Sequence, residues 1–165
     1  MSDRPTDSAR VSAEAGPTAA PADGRNTSKA YELEKQIGYL LRRAHQRTTA
    51  IFMANIAELN LTPTQLAALA KVADEGKVTQ NRLGRLTAMD PATMQGVIKR
   101  LSERGYVDRR PDPHDRRRTV LTLTADGRAL LERAAPASVK TSAETLAPLT
   151  PRQQAQFLDL LQKLT

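Results

Sequence analysis

Residues 78–124, which decide the fold, read VTQNRLGRLTAMDPATMQGVIKRLSERGYVDRRPDPHDRRRTVLTLT. Asp90 and Pro91 predict the start of a helix, because an acidic N-cap followed by proline is a common helix opening. Gly105 predicts its end, since glycine is favoured where a helix stops with a left-handed residue. A shorter helix capped by Thr79 precedes it, so the stretch begins as two helices joined by a tight turn. The apolar residues of the second helix recur at helical spacing and should face inward: Met94, Val97, Ile98 and Leu101.

The residues after Gly105 predict a hairpin. YVDRR at 106–110 and TVLTLT at 119–124 have the alternation and β-branched content of paired strands. PDPHD at 111–115 has the prolines and aspartates of a turn. We therefore expect a mainly α-helical fold with a small β-hairpin, a winged helix-turn-helix. In such a fold the second helix enters the major groove of DNA and the hairpin, or wing, reaches the adjacent minor groove.

The outward face of the second helix carries the candidate contacts to DNA. Gln95 can pair with an adenine edge through two hydrogen bonds, and Thr93 can bond a base edge or touch a thymine methyl. Lys99, Arg100 and Arg104 can instead contact phosphates, which position a protein without reading sequence. All five side chains are polar, as expected for a helix that reads nucleic acid.

Gly96 is unexpected inside this helix, because glycine costs about 1 kcal/mol relative to alanine there. Two interpretations stay open. Either the backbone approaches a base or phosphate closely, or a surface glycine is tolerated. We include Gly96 among the candidate DNA-binding residues.

The wing carries a cluster of arginines. Arginine suits a narrow minor groove, where the negative potential is high. Asp115 can hold one guanidinium extended through a bidentate pair. A solvated run of charge is the usual alternative, but a position directly after a helix-turn-helix favours DNA, and we expect Asp115, Arg116, Arg117 and Arg118 to belong to the DNA-binding surface. The cluster comprises Arg109, Arg110, Arg116, Arg117 and Arg118.

Residues 61–124, the predicted DNA-binding part, are flanked by further helices. Residues 31–59 carry apolar residues at three- and four-residue steps, and so do the segments after Thr124 and after Thr150. Pro136 should kink the first of these later helices without ending it, because helical spacing resumes beyond it. Such stripes must be buried, so residues 30–60 and 125–165 are predicted to be dimerisation helices of one domain, 30–165. Residues 1–28 show no periodicity and are predicted to form a disordered arm.

Charge and composition limit the function classes. A net charge of +7 and a pI of about 10.1 favour a polyanionic partner such as double-stranded DNA. The absence of cysteine excludes a disulfide framework, a thiolate zinc site and a thiol-based peroxide sensor. No apolar run approaches the roughly 18 residues of a membrane helix, and no signal segment is visible, so we expect a cytoplasmic protein without a membrane partner.

An enzyme is not expected from this sequence. Its histidines are His45 and His114, and no nucleophile elbow, phosphate loop or dinucleotide fingerprint occurs. Asp112, His114 and Asp115 lie across a proline turn beside arginines, which would repel a cation. We therefore expect neither a metal nor another cofactor.

Residues 37–165 resemble the MarR (multiple antibiotic resistance regulator) family of bacterial transcription factors. The resemblance lies in DPAT at 90–93, RLSERGYV at 100–107, DRR at 115–117 and LTLT at 121–124. It implies an obligate homodimer on a near-palindromic operator, with dimer contacts from the first, fifth and sixth helices. It also implies that Arg117 enters the minor groove and that Asp115 orients the wing. The family often has serine at the position of Ala92 and arginine at that of Gly96, so the base-reading contacts of this chain depart from that pattern.

The resemblance further implies a small ligand, often aromatic and anionic, between the DNA-reading part and the dimer helices. The first helix carries a dense set of cationic or titratable groups: Arg42, Arg43, His45 and Arg47. Arg43 and Arg47 are one turn apart and can share an anion, while His45 can pair with a carboxylate or respond to pH. Our hypothesis is that Arg43 and His45 help to bind an aromatic or organic acid that releases a repressor from DNA. Salt bridges or contacts to DNA phosphates are the alternative role for these residues.

A winged helix without an effector is the competing function, acting in DNA architecture or as a protein-interaction module. A protein-binding winged helix is expected to expose apolar residues on the outer face of its second helix. Here that face is polar, which favours DNA. An architectural protein would show little sequence preference in competition with random DNA.

Overall fold

The computed structural model describes residues 31–113, 115 and 118–165, and the predicted arm at 1–28 lies outside them. Within the described residues the chain forms six α-helices and three short strands, so the expected mainly helical fold with a small sheet is confirmed. None of these helices is long and apolar enough to cross a membrane. The helices are α1 (Ile37–Ile56), α2 (Pro63–Glu75), α3 (Gln80–Leu86), α4 (Pro91–Glu103), α5 (Ala125–Leu146) and α6 (Pro151–Gln162). The strands are β1 (Val78–Thr79), β2 (Val107–Pro111) and β3 (Thr119–Leu123).

Side-chain caps fix where the helices begin. At the start of α2, the hydroxyl of Thr62 accepts a hydrogen bond from the backbone N–H of Gln65, and the Gln65 side chain accepts one from the backbone N–H of Thr62. Thr150 and Gln153 form the same reciprocal pair at the start of α6. These caps satisfy backbone donors that have no partner inside the helix. Local sequence motifs therefore set these helix starts.

The first helix is shorter than predicted. Instead of one helix over 31–59, α1 is flanked by 3-10 turns at Leu33–Lys35 and Ala57–Leu59. Gln36 has an extended backbone (φ −78°, ψ 128°) that separates the first turn from α1. The second turn ends at Asn60, which is left-handed (φ 47°). The apolar spacing continues across both breaks, so periodicity alone could not reveal them.

Helix α5 continues through Pro136, which confirms that helical structure resumes beyond the proline. Pro136 and Glu132, whose carbonyl loses its usual backbone donor, are both exposed. Water can therefore take the place of the missing backbone hydrogen bond. The proline is tolerated because it lies on the solvent side of the helix.

The sheet has three antiparallel strands in the order β1-β3-β2, so the prediction of a two-stranded hairpin was incomplete. Val78 pairs with Leu121 and Thr79 with Val120. A strand of two residues is too short to show alternation in a sequence. Its consequence is structural, because β1 joins the wing directly to the start of α3.

One core supports the helix-turn-helix and the wing. Leu69, Leu83, Ile98, Leu101 and Leu121 are fully buried in it. The inward row predicted for α4 is confirmed, and α1 and α5 each add residues to the same core. At about 25 cal/mol per Å² of apolar area, such burial is the main favourable term in folding. Helix α4 therefore packs on this buried core.

Close packing at the junction of the wing and α5 requires a glycine. A Cβ atom on Gly127 would collide with the backbone carbonyl oxygen of Tyr106. Thr124 stabilises the same junction, because its hydroxyl donates to the carbonyl of Gly105 (2.7 Å). The start of α5 is thus held against the turn that follows α4.

Apolar side chains near both ends of the described chain are not covered. On α1, Ile37 is 63% exposed; on α6, Leu160 is 51% exposed, and Leu164, just beyond the end of α6, is 71% exposed. The stripes predicted on these helices are therefore present but face outward in the single chain. Their other members are Leu33, Leu40, Leu41, Phe157 and Leu158.

Candidate DNA-binding surface

The cap of α4 ties one predicted contact residue to the helix start. Asp90 Oδ1 accepts a hydrogen bond from the backbone N–H of Thr93 (2.9 Å), and Oδ2 accepts one from the Thr93 hydroxyl (2.6 Å). The bond from the hydroxyl, followed by those from the backbone, lowers the pKa of Asp90 below its ordinary value of 3.8. The hydrogen of the Thr93 hydroxyl is therefore engaged in the cap, so towards a base the hydroxyl can only accept a hydrogen bond, and its methyl group can make an apolar contact.

The remaining predicted residues of α4 lie on its exposed face. Gln95, Lys99 and Arg100 are exposed, and Gly96 between them is partly covered. Lys99 lies 3.8 Å from Glu103, an exposed pair that contributes little to stability. These side chains are free to meet a duplex without disturbing the core.

The guanidinium of Arg100 lies over Gly96. A Cβ at position 96 would be 3.4 Å from Nη2 of Arg100, 3.6 Å from Nη1 and 3.8 Å from Cζ, all ordinary contact distances. The guanidinium thus folds back along the helix and covers the glycine, but its position does not require one. The two interpretations of Gly96 from the sequence therefore stay open.

Arg104 is engaged within the protein and does not join the phosphate contacts anticipated for it. Its Nη1 donates to the carbonyl of Asn60 (2.6 Å) and its Nη2 to that of Leu59 (3.2 Å). Its guanidinium also lies 4.9 Å from the centre of the Tyr106 ring. Arg104 therefore links the end of α4 to the turn between α1 and α2. The carbonyl partners lie 44 and 45 residues away in sequence, so no local signal pointed to them.

The described part of the wing keeps its cations exposed. Arg109 and Arg110 extend from β2, and Arg110 lies 3.3 Å from Asp108. Asp115 pairs with Arg118, with 3.1 Å between Oδ2 and Nε, which is the bracing role expected of this carboxylate. His114, Arg116 and Arg117 lie outside the described residues, so the predicted minor-groove role of Arg117 stays a prediction.

The cationic residues of α1 are exposed and divided between two sides of the helix. Arg42 and Arg43 both lie over the Tyr39 ring, at 5.5 and 5.8 Å from its centre. His45 follows Arg43 by two positions, and residues so spaced point to opposite sides of a helix. Arg43 and His45 of one chain therefore cannot converge on one small ligand.

The sequence and fold match known regulators. The model of the MarR family matches residues 59–118. The transcriptional repressor NicR of Pseudomonas putida is 38% identical over 148 residues, which cover 90% of this chain and 91% of that protein. The chain belongs to the MarR family. The family resemblance seen in the sequence is thus confirmed, and the protein is a transcriptional regulator of MarR type.

Two solved MarR-type structures share the fold of this chain. BpsR of Bordetella bronchiseptica, whose DNA binding is regulated by 6-hydroxynicotinic acid, is 39% identical, with a TM-score of 0.77 over 81% of this chain and 96% of that one. The repressor CouR, bound to a 23-mer DNA duplex, is 27% identical, with a TM-score of 0.74 over 81% of this chain and 94% of that one. CouR thus shows that a protein with this fold can bind duplex DNA.

Proposed function

We propose that this MarR-type protein is a homodimeric repressor that occupies a near-palindromic operator and leaves it when a small aromatic acid binds. It acts in the cytoplasm, where chromosomal DNA is accessible. The observation that carries the proposal is the polar and cationic surface of α4 beside the arginine-rich wing, both mounted on one core. The similarity to NicR, a named repressor, supports repression as the direction of regulation.

Docking on DNA follows from this surface. Helix α4 enters the major groove, where Gln95 reaches a base edge and Lys99 and Arg100 reach phosphates. The wing enters the adjacent minor groove with arginines at its tip, and Asp115 holds Arg118 extended. The duplex-bound state of CouR, a relative of the same fold, supports this mode.

A second copy covers the exposed apolar rows of α1 and α6. Exposed rows on two helices that lie at opposite ends of the chain are too extensive for a protein that acts alone. A symmetric dimer buries the same surface on both copies. It also presents two reading helices, which match two half-sites of an operator.

The proposed effector is a hydroxylated aromatic or heteroaromatic carboxylic acid of the 6-hydroxynicotinic acid type. BpsR, regulated by that acid, is 39% identical to this chain, which supports the ligand class. Arg43 is the cation that we assign to the carboxylate, since it is exposed and lies over the Tyr39 ring, beside which a second ring can pack. His45 contacts the same ligand only if it comes from the other subunit, because the two side chains leave one helix on opposite sides.

The free energy required for release is modest. A ligand that binds the DNA-incompetent form about 100-fold more tightly than the competent form shifts their equilibrium by roughly 2.7 kcal/mol. No covalent step is needed.

Competition between operator and random DNA tests the regulatory function. At a fixed salt concentration the parent protein should prefer the operator by about a thousandfold or more. Equal affinity for both would replace this function with the architectural one.

Calorimetry with 6-hydroxynicotinic acid tests the effector assignment. Arg43→Ala should lose binding, whereas Arg128→Ala, which removes an exposed cation at the start of α5, should retain it. Benzylamine, which has a ring but carries a positive charge, should not bind either protein. Unchanged affinity in Arg43→Ala removes this residue from the site.

A further inference from the structure

A basic notch lies between the start of α3 and the end of the wing. The notch exists because β1 pairs with β3, which sets Thr79 opposite Val120 and brings the first residues of β3 against α3. Its lining side chains are polar or cationic, and none of them is acidic. It is a cavity of about 390 Å³ lined by Thr79, Gln80, Asn81, Arg85, Arg118 and Thr119.

Two arginines give the notch its charge. Arg85 is exposed, and among the described residues no carboxylate pairs with it. Arg118 uses its Nε in the pair with Asp115, so its terminal nitrogens can serve another acceptor. Arg82, one turn before Arg85, differs because its Nε and Nη2 donate to Glu75 (2.9 and 3.2 Å). The unsatisfied donors of this region are therefore concentrated in the notch.

The notch adjoins the start of the reading helix. Gln80, Asn81 and Arg85 also line a second cleft, which extends to Asp90 and Met94 of the α4 region. The notch thus lies between the start of α4 and the wing. When α4 occupies one groove and the wing the next, the DNA strand that separates the two grooves must pass between them.

We infer that the notch binds one phosphodiester of that strand. Arg85 approaches the phosphate from α3 and Arg118 from the position just before β3, while the side-chain amides of Gln80 and Asn81 are neutral donors. Guanidinium groups bind phosphate oxygens through paired, charge-assisted hydrogen bonds. Such a contact fixes the register of the protein on DNA and carries no sequence information. The inference rests on the docking proposed above and assigns it a contact that neither α4 nor the wing tip supplies.

The salt dependence of DNA binding tests the notch, with Arg82→Ala as the matched control for Arg85→Ala. Each phosphate contact contributes about 0.9 to the slope of log K against log salt, so loss of the notch in both subunits should reduce the slope by about 1.8. Arg85→Ala should weaken operator and random DNA by the same factor. Arg82→Ala, whose guanidinium is already paired, should keep the parental slope. Arg85→Lys should retain most of the parental slope, because position 85 keeps its positive charge.

Substitution on the DNA identifies the phosphate. A neutral methylphosphonate placed at one linkage of each half-site, between the bases read by α4 and those under the wing, should weaken the parent protein. It should have little further effect on Arg85→Ala, since non-additive effects mark groups in contact. Additive effects at every linkage would contradict the inference.

Three other results would overturn the inference that the notch binds a phosphodiester. One is an unchanged slope in Arg85→Ala, and another is a loss confined to the operator, which would make Arg85 a base-reading residue. The third is inorganic phosphate that binds the DNA-free protein through Arg85 while the slope for DNA stays parental, because the notch would then hold a free anion.

Failure of the proposed function can be distinguished from failure of the notch. A parent protein without preference for its operator would refute the repressor, while the slopes of Arg85→Ala and Arg82→Ala could still be compared on any duplex.

Discussion

Leu101 on α4 and Leu160 on α6 both belong to the apolar face of an amphipathic helix, yet Leu101 is fully buried and Leu160 is 51% exposed. The difference extends to the regions around them. The helix-turn-helix and wing cover their apolar residues within one chain, whereas the N-terminal half of α1 and all of α6 do not. Residues of the same chain, including some from α1 and α5, therefore bury the apolar side of the first region, whereas we propose that a second copy covers the second.

This contrast separates the region proposed to read DNA from the region that sets the symmetry of the proposed dimer. A self-contained support keeps the contact residues of α4 and the wing in place regardless of partner. In the proposed dimer, the outward-facing apolar rows of α1 and α6 determine the spacing between the two DNA-reading units. Changes in the two regions should consequently have different signatures, one in stability and the other in assembly.

The largest expected effect is the loss of assembly in Leu160→Glu. A charge in a dimer interface must be desolvated, which costs several kcal/mol, so this variant should be monomeric by sedimentation. Its operator affinity should fall by about 100-fold or more, because linking two binding modules raises affinity by about 10²–10⁴. Ala155→Glu adds the same charge to the opposite, exposed face of α6 and should remain a dimer. A dimeric Leu160→Glu protein would show that α6 is not in the interface.

At the junction of the two regions, Gly127→Ala should destabilise the chain itself. The added Cβ collides with the Tyr106 carbonyl, and such overpacking typically costs about 1–3 kcal/mol. Urea denaturation should register this loss, while Arg128→Ala at the exposed neighbouring position should denature like the parent. A fully stable Gly127→Ala protein would mean that α5 can move away from the hairpin without cost.

Removal of the link between α4 and the α1–α2 turn should have a smaller effect. Arg104→Ala removes two hydrogen bonds to backbone carbonyls that water can reach, which should cost about 1 kcal/mol in unfolding free energy. Arg100→Ala, on the exposed face of the same helix, should leave the unfolding free energy unchanged and weaken DNA binding. The opposite pattern would return Arg104 to the DNA-contacting residues.

Gly96→Ala should raise stability and leave DNA binding unchanged. Alanine should stabilise α4 by up to about 1 kcal/mol, and its Cβ would meet the guanidinium of Arg100 at an ordinary contact distance, 3.4 Å or more, without displacing it. Operator binding should therefore stay at the parental level. Thermal denaturation and fluorescence anisotropy on the same samples test both effects. Weaker operator binding would favour direct approach of the backbone to DNA.

The smallest effect concerns the cap of α4 and appears as a pH dependence. Because hydrogen bonds lower the pKa of Asp90 in the folded protein, its carboxylate stabilises the fold above pH 3.8 and loses that effect as the pH falls through the lowered value. Asp90→Asn keeps a capping side chain without the charge. The gap in unfolding free energy between parent and variant should therefore shrink as urea denaturation is repeated from pH 7 into the acid range. A gap that is constant with pH would mean that the charge contributes nothing.

The sequence predicted whatever depends on neighbouring residues. The caps at Thr79 and Asp90, the left-handed Gly105 (φ 76°) and the inward row of α4 all have local causes, and all are found as predicted. The packing of Gly127 and the hydrogen bonds of Arg104 depend on partners distant in sequence, so no local motif predicts them. The notch depends on β1, whose two residues are too few to show a strand pattern.

Selection of duplexes from a random pool by the parent protein tests the central claim most directly, because it reports at once on the reading surface and on its duplication. The account predicts a symmetrical motif with two half-sites about one helical turn apart, recovered as a complex of two chains per duplex. A single unpaired half-site bound by one chain, or no motif at all, would contradict it.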